Sequence, residues 1–138
     1  MKASDLAAAR RAELSAQEAT AKERKQQIEA EQARLIREVY QPAAVALLVG
    51  MDMDAEEIAA GVKLTEVTFD ADGKPRPRCT IELSLPGFMV VSIAAQILGN
   101  EVSVPGETPR PFHAKCVDGY EPFTNLADAL CFAQAVTP

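Results

Sequence analysis

Cys79, Cys116, Cys131 and the single histidine, His113, are the side chains best equipped for chemistry in this sequence. Together they match the ligand count of a Cys3His zinc site. Their spacing argues against one. His113 and Cys116 stand three apart in an alternating segment, so on a strand they point to opposite faces, and no pair has the close CxxC spacing of structural zinc sites. The expectation is three unpaired core thiols in a reducing compartment, with no metal and no cofactor.

Asp52, Asp54, Glu56 and Glu57 form the only dense acidic run, and hard cations such as Mg²⁺ want several oxygens. A carboxylate-dependent enzyme centred on Asp52 and Asp54 is therefore one reading. The structural alternative is stronger: Asp54 with Glu57 three residues later reads as a capping box, and Glu56 suits the first turn of a helix. His113 is followed by no Ser or Cys in a glycine-flanked elbow, and no glycine-rich phosphate loop is present. The sequence points away from an enzyme.

Two proline-arginine segments are better candidates for contact, Lys74-Pro75-Arg76-Pro77-Arg78 and Thr108-Pro109-Arg110-Pro111. Proline stiffens a connection, and a guanidinium grips a carboxylate through two parallel hydrogen bonds. Arg76, Arg78 and Arg110 are thus expected to face an acidic protein surface. The plain alternative is three solvated loop arginines. Phe132 falls on the polar side of the last helix, beside Asn125 and Asp128, where an aromatic serves as an interface anchor or as the rim of the core.

These residues must be positioned by elements that the pattern outlines. From Asp5 to about residue 40 the chain holds no Gly or Pro, is rich in Ala, Glu, Gln, Lys and Arg, and has Ser4 placed to cap it; one long helix is predicted. Ala7, Leu14, Ala21, Ile28 and Leu35 recur every seven residues, but the positions three later are Arg10, Gln17, Arg24, Glu31 and Glu38. That leaves one seam position per heptad where a coiled coil uses two. A helix so thinly provided frays unless it docks, which makes Leu14 and Ile28 candidate contacts with a protein partner or another copy. From Leu35 the apolar stripe broadens through Val39, Tyr40, Ala43 and Leu48, with a kink or restart expected at Pro42.

A short helix is predicted over 55–60, ending at Gly61. Cys79, Ile81, Leu83 and Leu85 alternate with polar residues as a half-buried strand, paired with Val62–Phe69 across the Asp70–Gly73 turn. Pro86-Gly87 and Gly99-Asn100 bracket an apolar run that reads as a helix by its Pro-first, Gly-last order, although its Val and Ile suit a strand. A short strand over 101–104, a proline-rich loop, a hairpin over 112–123 turning at Asp118-Gly119, and a last helix capped by Thr124 complete the chain. The stripe of that helix is Leu126, Ala129, Leu130, Ala133 and Val136. The fold class is α+β: a polar N-terminal helix over 1–41, then a compact domain over 42–138 with two hairpins in one mostly antiparallel sheet packed by helices.

The 138 residues suffice for one domain with an appendage, and a hydrophobic share of 48% provides a core, although aromatics supply only 5% and Trp is absent. No stretch approaches the roughly 20 apolar residues of a membrane span, and the N-terminus lacks the apolar run of a secretory signal. Residues 1–40 hold eight Lys/Arg against seven Asp/Glu, whereas the remainder holds six against thirteen. So acidic a domain opposes general nucleic-acid binding, and that alternative would use Lys74, Arg76, Arg78 and Arg110, four of its six positive charges. The expectation is a cytoplasmic protein-binding or assembly module, in type like the small virion parts and host-machinery inhibitors of bacteriophages and mobile elements.

Overall fold

The computed structural model describes residues 2–135, and the chain divides into two compact units, one ending at Arg34 and the other beginning at Leu35. The first is almost all of helix α1, Ala3–Leu35, in which no residue is buried. Ser4 lies inside this helix and does not cap it; the carbonyl of Lys2 accepts from the amides of Asp5 and Leu6 and so closes the first turn.

The second unit opens with a π turn over Ile36–Tyr40 and continues as α2, Gln41–Val49. The disruption expected at Pro42 is this π turn. A proline removes the amide its position would donate and crowds the carbonyl four residues back; widening the preceding turn, where the Gln41 amide reaches back to Ile36 O, relieves that crowding. Helix α3 is a single turn, Ala55–Ile58, capped by Asp54, whose carboxylate accepts from the amides of Glu56 and Glu57 at 2.8 and 3.3 Å.

Among the described residues, six strands form one antiparallel sheet: β1 Val62–Thr65, β2 Arg78–Leu83, β3 Val91–Leu98, β4 Glu101–Ser103, β5 Phe112–Cys116 and β6 Gly119–Phe123. Their order is β1-β2-β3-β5-β6, with β4 pairing on the far end of β3. The helix expected between Pro86 and Gly99 is strand β3. Val91, Ile93, Ala95 and Ile97 are buried while Ser92, Ala94 and Gln96 are half-buried, a period of two that no helix satisfies. The punctuation is that of turns. Pro86-Gly87 occupy the centre of a β-turn closed by Phe88 N donating to Leu85 O, with Gly87 at φ +83°, and Gly99 at φ +63° opens the β3–β4 hairpin.

Helix α4, Leu126–Ala135, closes the described chain. Its cap is Asn125 and not Thr124: the Asn125 amide oxygen accepts from Asp128 N at 2.8 Å while its nitrogen donates to the Asp128 carboxylate at 3.0 Å, a reciprocal pair that a hydroxyl one residue earlier does not form. Leu126, Ala129 and Ala133 are buried, and Val136 of the expected stripe lies outside the described residues. Helices α2 and α4 supply Ala44, Leu48, Ala129 and Ala133 to a core shared with Val62, Ile81, Leu83, Val91, Ile93 and Ala114 from the sheet.

Two details protect the sheet and hold its first strand. The side chain of Gln41 lies along β1, donating to Val62 O at 2.6 Å and accepting from Leu64 N at 3.0 Å, so it occupies the outer rim of an edge strand. At the opposite edge, β6 carries Pro122, which has no amide to offer a further strand. Gly61 approaches the β2 side so closely that a Cβ there would stand 2.2 Å from Ser84 O, so any larger residue forces the backbones apart.

Candidate functional site

The polar face of β2 and β3 contains a groove of about 860 Å³. Thr80 and Ala94 pair in register on its floor, with Arg78 and Gln96 one step along; the methyl of Ala94 leaves the depression that longer side chains surround. One wall is the β1–β2 connection with Glu66, Thr68 and Arg76, and the other is the loop with Pro105, Glu107 and Thr108. The fold therefore brings part of both proline-arginine segments to one place.

Backbone hydrogen bonds fix these walls. Arg76 N donates to Thr68 O at 2.8 Å, and Ile97 N donates to Pro77 O at 2.7 Å, extending the β2–β3 ladder to the residue between the two arginines. On the other side of β3, Ala94 N donates to Pro111 O at 2.8 Å. Arg76 and Arg78 are exposed and, among the described residues, neither has a carboxylate at salt-bridge distance. Arg110 is also exposed but stands outside the groove lining, and Lys74 sits on the Asp70 turn, whose carboxylate accepts from Lys74 N at 3.0 Å.

Glu66 is the groove residue with no sequence signature. It adopts φ +57°, a left-handed conformation that costs a non-glycine residue about 1 kcal/mol, and its carboxylate accepts from the Thr80 hydroxyl at 2.8 Å. Thr65 bonds the Thr80 carbonyl at 3.3 Å, so Thr80 joins both strands to the wall. The lining thus mixes two guanidinium groups with two carboxylates and several hydroxyls, an arrangement for directional recognition and not a stripe of one sign.

Chemistry at the other candidates is quieter. The Asp54 carboxylate serves as the α3 cap, Asp52 is an exposed turn residue at φ +70°, and among the described residues no three His, Cys, Asp or Glu side chains converge to hold a metal. His113 and Cys116 stand on opposite faces of β5, His113 with the half-exposed polar row and Cys116 on the side of Phe112 and Ala114. Only Cys79 is a buried thiol; Cys116 is half-buried and Cys131 exposed, because Cys131 falls between the buried positions of α4. Burial raises the Cys79 pKa from 9.0 to about 11, which keeps it protonated and unreactive at neutral pH. Phe132 is half-buried with its ring 5.3 Å from that of Phe123, so it packs α4 on β6.

On α1, Leu14 and Ile28 keep 42% and 54% of their surface and Leu6 keeps 58%, values that decide whether this helix has a face of its own to bury. It has none within its unit. Arg10 bonds Glu13 at 3.0 Å and Arg34 bonds Glu31, which holds the Glu31 carboxyl below its ordinary range. Comparison with known proteins finds no protein family, no curated protein and no solved structure that matches this chain. No helix among the described residues is long and apolar enough to cross a membrane.

Proposed function

We propose that this protein is a non-enzymatic assembly module that binds protein through α1, with the groove of Arg76 and Arg78 as a second contact. One observation carries the reading: a helix of 33 residues with no buried residue presents Leu6, Leu14 and Ile28 to its surroundings. Tertiary packing of an apolar face is the main source of helix stability in proteins, and α1 lacks it until something docks. The unpaired thiols suit a reducing cytoplasm.

At the groove, Arg76 and Arg78 rise from a main chain already fixed by hydrogen bonds, so engaging a carboxylate orders their side chains and no backbone. Glu66 and Glu107 beside them favour an acidic protein segment with some basic residues of its own over a nucleic-acid backbone, whose affinity depends on clustered cations. The test is affinity capture from the native source, read by mass spectrometry, with wild type, Leu14→Glu/Ile28→Glu and Arg76→Ala/Arg78→Ala compared. The helix variant is expected to lose at least one specific companion that wild type retains, and the arginine variant to bind it about tenfold more weakly, as for a lost charged contact. An identical set of companions with all three proteins would refute the reading.

A further inference from the structure

We infer that α1 pairs with α1 of a second copy of this chain, antiparallel and centred on Ala21. The inference rests on the reading of α1 as a docking element and adds what docks on it. Leu14 and Ile28, the bulky exposed residues in the middle of the helix, stand equally far before and after Ala21 in the sequence. A two-fold axis at Ala21 sets Leu14 of one copy level with Ile28 of the other, twice, with Ala21 on Ala21 between them. Small side chains admit a close approach at the axis, where Ala16, Gln17, Thr20, Ala21 and Arg24 line a shallow depression.

The polar layers between these contacts decide the direction. About this axis Glu18 is level with Arg24, Arg11 with Glu31, Gln17 with Lys25 and Arg10 with Gln32, each pair occurring twice. Every one is attractive or able to hydrogen-bond. Parallel, in-register pairing instead places Arg10, Glu18, Arg24 and Glu31 each against its own copy, and like charges across a helical interface oppose association. The one unfavourable neighbour in the antiparallel register is Glu13 beside Glu29, and Arg10 already neutralises Glu13 within its own helix. From Arg11 to Glu31 the paired stretch is about 30 Å long at 1.5 Å per residue.

Sedimentation velocity of the full chain over a concentration series should show a monomer–dimer equilibrium that weakens as salt rises, since the pairs are solvent-exposed. Glu18→Arg turns two attractive contacts into repulsive ones and should weaken the dimer at least tenfold; Glu18→Arg with Arg24→Glu should restore it, with circular dichroism confirming equal helix content. In a Cys116→Ser/Cys131→Ser background, Ala21→Cys should oxidise to a covalent dimer. Leu14→Cys alone should not, because two such residues stand about 21 Å apart along the pair, whereas mixing Leu14→Cys with Ile28→Cys chains should give a mixed disulfide. A dimer indifferent to the charge exchange, or crosslinked through Leu14→Cys alone, would overturn the antiparallel register. A chain monomeric at every concentration that still loses a companion protein on Leu14→Glu/Ile28→Glu would overturn self-pairing and keep the docking role.

Discussion

Cys79 shows how burial alone converts a reactive group into a structural one. Its thiol faces the core among apolar neighbours, and the thiolate it would have to become is excluded by desolvation. The linkage has a definite sign: a proton held more tightly in the folded state stabilises the protein fully below the unfolded pKa near 9.0, and that stabilisation is lost as pH rises towards about 11. Melting temperature should therefore fall across that window in wild type and fall less in Cys79→Ala measured beside it; parallel profiles would show that Cys79 is not the group responsible. In the same solutions Cys131, being exposed, should react with a thiol reagent in the folded protein well before Cys79 does. Asp54 as a cap was readable from its spacing to Glu57. Glu66 was not, because a left-handed glutamate leaves no trace in composition or period and is fixed only by the strand it joins.

Among the elements, β1 depends most on a single side chain outside it. It has four residues and is paired on one side by β2, while Gln41 satisfies Val62 O and Leu64 N on the other. Gln41→Ala should cost about 1–3 kcal/mol in chemical denaturation, the range for half-buried backbone groups deprived of partners. Gln41→Glu, which keeps the acceptor for Leu64 N but sets a carboxylate oxygen against Val62 O, should be no more stable than Gln41→Ala. Equal stability of all three would mean that water replaces the amide without loss. Alternation made β2 and β5 legible, since their polar and apolar residues change places at every step, and the Asp118-Gly119 turn marked β6. At β3 the Pro-first, Gly-last punctuation misled, because Ala94 puts an apolar residue on the outward row and blurs the alternation; Gly87 and Gly99 belong to the turns at either end of the strand. The tertiary partner of Gln41, more than twenty residues away, had no local signal at all.

At the scale of the molecule, charge and burial divide the chain in the same place. Every core residue from Tyr40 to Ala133 belongs to the unit that begins at Leu35, and that unit also carries all of the excess negative charge, residues 1–34 being slightly positive. A chain beginning at Leu35 should therefore melt cooperatively within about 0.5 kcal/mol of the full protein, as expected when no buried contact is removed; loss of the transition would show that residues 1–34 support the core. The asymmetry of charge was legible from residue counts, and the long helix from the absence of Gly and Pro. The convergence of the two proline-arginine segments was not, since it depends on β3 running between them. The blocked rims of the sheet have a further consequence. Proteases and peptide-binding domains that read a substrate by laying their own backbone alongside an extended strand need free amides and carbonyls in register. With the Gln41 amide seated along β1 and a proline ring in β6, those readers meet an interrupted register at both of these rims, which leaves the three-residue β4 as the remaining edge.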